Sequence, residues 1–309
     1  MTQADNAPRS KASVYIQAVR TFSFPASMIP CLIGAMFAFL MGNAHVSWYL
    51  MPFIVVSLLL LHSASNVISD VDDYKRGVDD KDTFGGSRVL TDDLLQPKEM
   101  FRFGLTLFLL AVFFGLPIIF DRGLIILWFG LLGILGGFFY TGRPIGLKYI
   151  ALGDTIIFLM YGPAIVTGTF FALTGTYNIT VVLASIPLGL LVAGIVQANN
   201  LRDIIHDRKA NIKTLATIFG EGFAKGEYVF LITGAYLTVI ILVVMNVLSL
   251  WSLLVFLSLP IALKNMNMIK GVKIEDTGKI AMLDAMTAQL TLMFGVLLSI
   301  SLIITKFTA

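Results

Sequence analysis

Apolar residues recur along this chain in nine long runs, at positions 22–41, 48–68, 103–120, 124–140, 152–173, 179–198, 228–247, 250–268 and 282–304. Each approaches the roughly 20 residues that a helix needs to cross a hydrocarbon core. The pattern predicts an all-α, polytopic integral membrane protein with nine transmembrane helices around a central cavity. The polar connections alternate in length. Those at 42–47, 121–123, 174–178 and 248–249 are short, and those at 69–102, 141–151, 199–227 and 269–281 are long. Long connections in a compact protein usually carry function.

Composition agrees with a membrane protein. Hydrophobic residues make up 57% of the chain, charged residues 13%, and mean hydropathy is +0.86; a soluble domain carries about twice that share of charge. Of the 22 Lys and Arg residues, only Arg122 and Lys306 are assigned to the side opposite the long connections and the N-terminal segment. The positive-inside bias therefore predicts a cytoplasmic N-terminus and long loops, and an external C-terminus, in a bacterial or archaeal cell membrane. Trp48, Trp128 and Trp251 fall near the outer ends, where an interfacial belt is expected. Residues 1–19 read as a cytoplasmic tail, disordered over the first dozen, and 20–309 as one membrane-embedded domain. No signal peptide is expected, because the first apolar run is longer than a signal core. Cys31 is the one cysteine, so no intramolecular disulfide forms. The net charge of +3 comes mostly from the loop asymmetry, and no basic tract suggests nucleic acid as a partner.

Two of the long connections concentrate acid. The first holds Asp70, Asp72, Asp73, Asp79, Asp80 and Asp82; the second holds Asp203 and Asp207. Both are interleaved with Arg and Lys. Asp70 and Asp73 lie one helical turn apart, Gly77 permits a turn that returns Asp79 to the same level, and Asn66 lies one turn earlier. Asp203 and Asp207 share a face if the sixth helix runs on beyond the membrane. Taken singly, each motif also fits a solvated helix end with local ion pairs. Two of them in loops on the same side favour a site where Mg²⁺, which takes oxygen ligands and keeps several waters, binds a diphosphate between carboxylates and cations. The motifs are four spans apart, which suggests two four-helix halves plus a ninth helix. A third segment, Tyr140 to Asp154, offers the cations Arg143 and Lys148 beside a helix entry, with Asp154 just inside it. His206 reads as a solvated loop residue, and His45 and His62 lack metal-ligand spacing.

These motifs resemble those of the UbiA-type intramembrane aromatic prenyltransferases, and most of all the branch acting on 1,4-dihydroxy-2-naphthoate. That branch has a first motif of the form N-x-x-N-D-Y-x-D-Y-x-x-G-x-D, matched here by Asn66, Asp70, Asp73, Tyr74, Gly77 and Asp79. Its second motif is matched by Asn199, Asn200, Arg202, Asp203, Asp207, Thr214, Leu215, Ala216 and Gly220. The stretches R-T-F-S-F-P-A-S-M-I-P from Arg20, L-K-Y-I-A-L-G-D from Leu147, and G-P at Gly162 match too. Ser69 stands where the family has Asn, Asn211 where it has Gly, and Asp154 where bacterial members carry Glu.

The resemblance implies Mg²⁺ on Asp70, Asp73, Asp79, Asp203 and Asp207. It implies substrate contacts from Asn66, Tyr74, Arg76, Arg88, Arg143, Lys148, Asn200, Arg202, Arg208 and Lys213, with Arg143 and Lys148 as anchors for an acceptor carboxylate. The implied partners are a polyprenyl diphosphate, an aromatic acceptor and the lipid bilayer; donor length, general base and oligomeric state stay open. The implied reaction is prenylation of 1,4-dihydroxy-2-naphthoate with decarboxylation, giving demethylmenaquinone. Rival readings are a family member with another acceptor (homogentisate, 4-hydroxybenzoate, a porphyrin or a glycerophosphate lipid), a transporter, and a non-catalytic scaffold. Transport acids belong near the bilayer midplane, whereas these gather at helix ends.

Overall fold

Hydrocarbon offers no partner for a bare backbone N–H or C=O, so an apolar run that enters it satisfies its own groups by forming a helix. In the computed structural model, which describes residues 10–42, 46–81 and 85–308, every one of the nine apolar runs is helical. Thirteen α-helices follow in order: α1 (Lys11–Ala18), α2 (Pro25–Met41), α3 (Met51–Arg76), α4 (Pro97–Arg122), α5 (Leu124–Phe139), α6 (Gly153–Leu159), α7 (Ile165–Thr174), α8 (Ile179–Arg202), α9 (Ile204–Lys209), α10 (Leu215–Phe219), α11 (Glu221–Val244), α12 (Leu259–Lys270) and α13 (Leu283–Thr308). Among the described residues the sole β feature is a parallel bridge between Ile150 and Lys213.

Among the described residues, seven helical segments are long and apolar enough to cross a bilayer. An eighth crossing arises if Lys11–Ser23 and Pro25–Met41, bent by 57° at their junction, are one span. Nine full-length spans are therefore not confirmed among the described residues. Helix α2 has 17 residues and α5 has 16; at 1.5 Å per residue each reaches roughly 24–26 Å, short of a core of about 30 Å.

The N-terminal tail also needs correction. From Lys11 the chain is helical, with Val14 and Ala18 buried. The Tyr15 hydroxyl donates to Glu99 at 2.8 Å, and the Gln17 amide donates to the Ser87 carbonyl at 2.7 Å. Positions 1–9 lie outside the described residues, as do His45 and Asp82.

The tightest packing sits on one side. Buried side chains of α2, α8, α11 and α13 form the main core, with Phe37, Tyr228 and Phe294 among the largest. The hydroxyls buried there pair, Tyr228 with Thr287 at 2.7 Å and Tyr236 with Ser258 at 2.6 Å. Helices α3 and α4, and α8 and α11, are the most extensively packed pairs. Each pair begins with the helix that carries or leads directly into an acidic motif. Between α6 and α7 the turn Met160–Ala164 is π-helical and contains Pro163. Gly162 there meets Gly189 of α8 so closely that a Cβ would sit 2.8 Å from the Gly189 Cα.

Two adjoining cavities result. Among the described residues their walls come from the N-terminal segment through α9, and none from α11, α12 or α13.

Candidate active site

Helix α3 does not stop at the membrane surface. It runs on to Arg76, so Asp70 and Asp73 are helical, one turn apart and buried. Gly77 ends it in the left-handed region, φ +69, and the Val78 amide bonds back to the Asp73 carbonyl at 2.9 Å. That turn brings Asp79 against the returning loop at Gly85 and Gly86. A Cβ on Gly86 (φ +71) would lie 2.6 Å from Asp79 Oδ2, so that close approach requires glycine. A Cβ on Gly85 would lie 3.4 Å from Asp79 Oδ1 and 3.8 Å from Asp203 Oδ2. The two acidic motifs therefore meet, although 134 residues separate Asp73 from Asp207.

The second motif differs from its expected form. Helix α8 ends at Arg202, and Asp203 occupies a break before the short helix α9, which carries Asp207. Both carboxylates still line one polar cavity of about 170 Å³, with Asp73, Asp79, Arg20, Lys148 and Arg202.

Most of these carboxylates are already bound to cations. Asp73 accepts from Lys148 Nζ at 3.0 and 2.9 Å and from the Tyr149 hydroxyl at 2.8 Å. Asp70 does not itself line the cavity; it pairs with Arg20, which does, at 3.3 Å and accepts the Ser87 amide at 2.8 Å. Asp203 takes a forked pair of bonds from Arg202 Nε and Nη2, at 2.8 and 2.7 Å. The side-chain carboxylates of Asp79 and Asp207 have no hydrogen bond among the described residues, and both are pushed up to about 7. For each the main cause is burial. The neighbouring Asp73 adds to it for Asp79; for Asp207, Lys148 opposes the rise while Asp203 reinforces it. Lys148 is held well above its usual range: burial, the largest single influence, lowers it, but Asp73, Tyr149, Tyr140 and Asp207 together raise it by more.

This donor set fits a hard divalent cation. It consists of carboxylate oxygens crowded in one cavity, two of them short of positive charge at neutral pH. It is not a closed metal cage. Among the described residues no group of three or more acid, His or Cys side chains is placed to hold an ion alone. Mg²⁺ shared between one or two carboxylates and phosphate oxygens does not need one.

The other residues singled out in the sequence divide. Asn66 lines the cavity and donates to the Val19 carbonyl and Ser23 Oγ at 3.1 and 3.0 Å. Asn200 also lines it, holding Asp154 at 3.2 Å. Arg76 stacks over the Tyr149 ring at 4.1 Å, behind Asp73. Tyr74, Arg88, Arg143, Arg208 and Lys213 are exposed and do not line the cavity; Arg88 pairs with Asp92 at 3.1 Å. Lys148 lies inside the aspartate cluster, not apart from it as an acceptor anchor would. Sequence reasoning missed Arg20, Tyr149 and His206 as site residues. Arg20 and Tyr149 fall within the stretches matched to the family. His206 lines the cavity instead of standing in solvent.

A second, apolar cavity of about 310 Å³ adjoins the first, walled by α3, α4, α5 and the α6–α7 span. His62, Ser65, Tyr140, Ile157 and Tyr161 line both. A charged pocket thus opens into a hydrocarbon-walled one, the shape needed for a molecule with an anionic head and a long apolar tail.

Comparison with known proteins agrees. Residues 27–286 match the model of the UbiA prenyltransferase family. The chain belongs to this family. It is 32% identical to the 1,4-dihydroxy-2-naphthoate octaprenyltransferase of Bacillus subtilis (strain 168) over 303 residues, 96% of this chain and 94% of that one. It is 34% identical to human UbiA prenyltransferase domain-containing protein 1 over 260 residues, 82% of this chain and 74% of that one. The fold is shared with a UbiA homolog from Archaeoglobus fulgidus bound to DMAPP and Mg²⁺, at TM-score 0.63 and 17% identity, covering 93% and 99% of the two chains. An apo UbiA homolog from Aeropyrum pernix K1 aligns at TM-score 0.64 and 13% identity, covering 97% and 99%.

Proposed function

We propose that this UbiA-family enzyme transfers a polyprenyl group from its diphosphate to 1,4-dihydroxy-2-naphthoate with loss of CO₂. The observation that carries this reading is the 32% identity to the Bacillus subtilis octaprenyltransferase over nearly the whole of both chains. The paired cavities support it. Mg²⁺ held by Asp70, Asp73, Asp79, Asp203 and Asp207 would neutralise charge as the diphosphate departs. Arg20, Lys148 and Arg202 line the polar cavity and supply fixed positive charge to the same oxygens. The apolar cavity takes the prenyl chain, and its hydrocarbon walls keep water from the allylic cation.

The electron count closes without a base. The allylic C–O bond breaks, and its electron pair leaves with the diphosphate. The ring carbon bearing the carboxylate bonds to the cation. That carboxylate then departs as CO₂ and returns its bonding pair to the ring. We place the ring at the junction of the cavities, between Tyr140, Tyr161 and His62.

Purified enzyme supplied with labelled polyprenyl diphosphate and Mg²⁺ should prenylate the naphthoate in preference to homogentisate or 4-hydroxybenzoate. Turnover of either of these, with none of the naphthoate, overturns the acceptor assignment.

We also read all nine apolar runs of the 20–309 domain as crossings, short α2 and α5 included, with the acidic loops in the cytoplasm. Reporters fused after Lys98 and Lys213 should then read cytoplasmic, and one at the C-terminus external. Opposite signals from the two loops contradict a shared site.

A further inference from the structure

Arg202 is 4% exposed and joins two carboxylates. Its Nε and Nη2 grip Asp203, while its Nη1 donates to Asp284 Oδ2 at 2.9 Å and to the Ala281 carbonyl at 3.4 Å. A guanidinium has five N–H donors. These contacts use four of them. The fifth belongs to Nη2, which lies 3.9 Å from the position of a Gly85 Cβ, beside the polar cavity. Asp284 itself does not line that cavity. It sits in the first turn of α13, where its Oδ1 accepts the Ala285 amide at 2.7 Å, so its carboxylate is fixed before it meets Arg202.

We propose that Asp284 is a positioning residue for diphosphate binding: from α13 it locks the Arg202 guanidinium so that the remaining Nη2 N–H is presented to the diphosphate. This rests on the prenyltransferase reading above. Two acids share one guanidinium, and each constrains it. Asp203 alone would hold the fork but leave Nη1 free to swing with the Asp203 side chain. The third bond, from a different helix, fixes the plane. It also explains why helix α13, which lines neither cavity, begins with an acid facing the second motif.

The test measures binding before chemistry. The Kd for a non-reactive prenyl thiodiphosphate with Mg²⁺, and the KM for the naphthoate, are compared among wild type, Asp284→Asn, Asp284→Glu and Arg202→Lys. Asp284→Asn should raise the thiodiphosphate Kd about tenfold or more and leave the acceptor KM within twofold. Asp284→Glu should recover part of the loss. In an Arg202→Lys background, Asp284→Asn should add less than twofold, because an ammonium cannot hold both carboxylates in one plane. An unchanged Kd in Asp284→Asn, equal effects on both substrates, or full additivity with Arg202→Lys overturns the proposal. Tight thiodiphosphate binding by wild type alongside any of these leaves the prenyltransferase reading standing. No binding by wild type removes both.

Discussion

Replacing Asp73 with alanine is expected to lower kcat for prenyl transfer by at least about 100-fold, and so is replacing Asp207, but the two variants should differ in stability. Asp73 accepts three bonds, two from Lys148 and one from Tyr149. Its loss leaves a mostly buried ammonium without its partner, which costs up to about 3–5 kcal/mol, less here because the Lys148 side chain keeps 21% exposure. The Asp207 carboxylate has no hydrogen bond among the described residues, and burial has already raised its pKa to about 7. Removing it relieves crowding, so Asp207→Ala should melt at or above the wild-type temperature while its activity collapses. A buried acid that destabilises the resting protein yet is needed for turnover is held there for its chemistry. Steady-state rates with thermal melts in detergent, with and without a chelator, check both. Full activity in either variant, or in chelator, contradicts a metal–diphosphate site.

Lys148→Ala should reduce kcat/KM by roughly 10²- to 10³-fold, the loss typical when a fixed donor to a developing oxyanion is removed. Sequence reasoning assigned Lys148 to the acceptor carboxylate. The structure sets its Nζ 2.9 Å from Asp73 Oδ2, inside the polar cavity. The rise in KM should therefore fall on the prenyl diphosphate. Arg143, exposed and outside the cavity, provides the contrast: Arg143→Ala should stay within threefold of wild type for both substrates. Initial rates with each substrate varied in turn decide the matter. A KM effect of Lys148→Ala confined to the naphthoate restores the earlier assignment.

Both cases show where the sequence was readable. The helices followed from the apolar runs, because in hydrocarbon helix formation is nearly obligatory. The meeting of the two acidic motifs followed from their shared side. What the sequence could not supply was partnership. Lys148 looks isolated in the chain because the acid it pairs with in space, Asp73, is 75 residues away. Arg20 looks like a membrane-flanking charge until Asp70 is placed against it. Asp203 and Asp207 look like one helical face, but the helix breaks at Asp203 and the motif continues on α9. Tyr74, although in register with the family motif and one helical turn from Asp70, is exposed and lines neither cavity. The membrane length of α2 was overestimated because the apolar run starts at Phe22, ahead of the helix, whereas α5 is short because its apolar run is short.

Release of CO₂ from carboxyl-labelled 1,4-dihydroxy-2-naphthoate, followed with labelled prenyl diphosphate in one reaction, tests the central claim most directly. One CO₂ should appear for each prenylated naphthol formed, both stopping together when Mg²⁺ is chelated and resuming when it is restored. Prenylated product that retains its carboxylate, or CO₂ released without prenyl transfer, would contradict it.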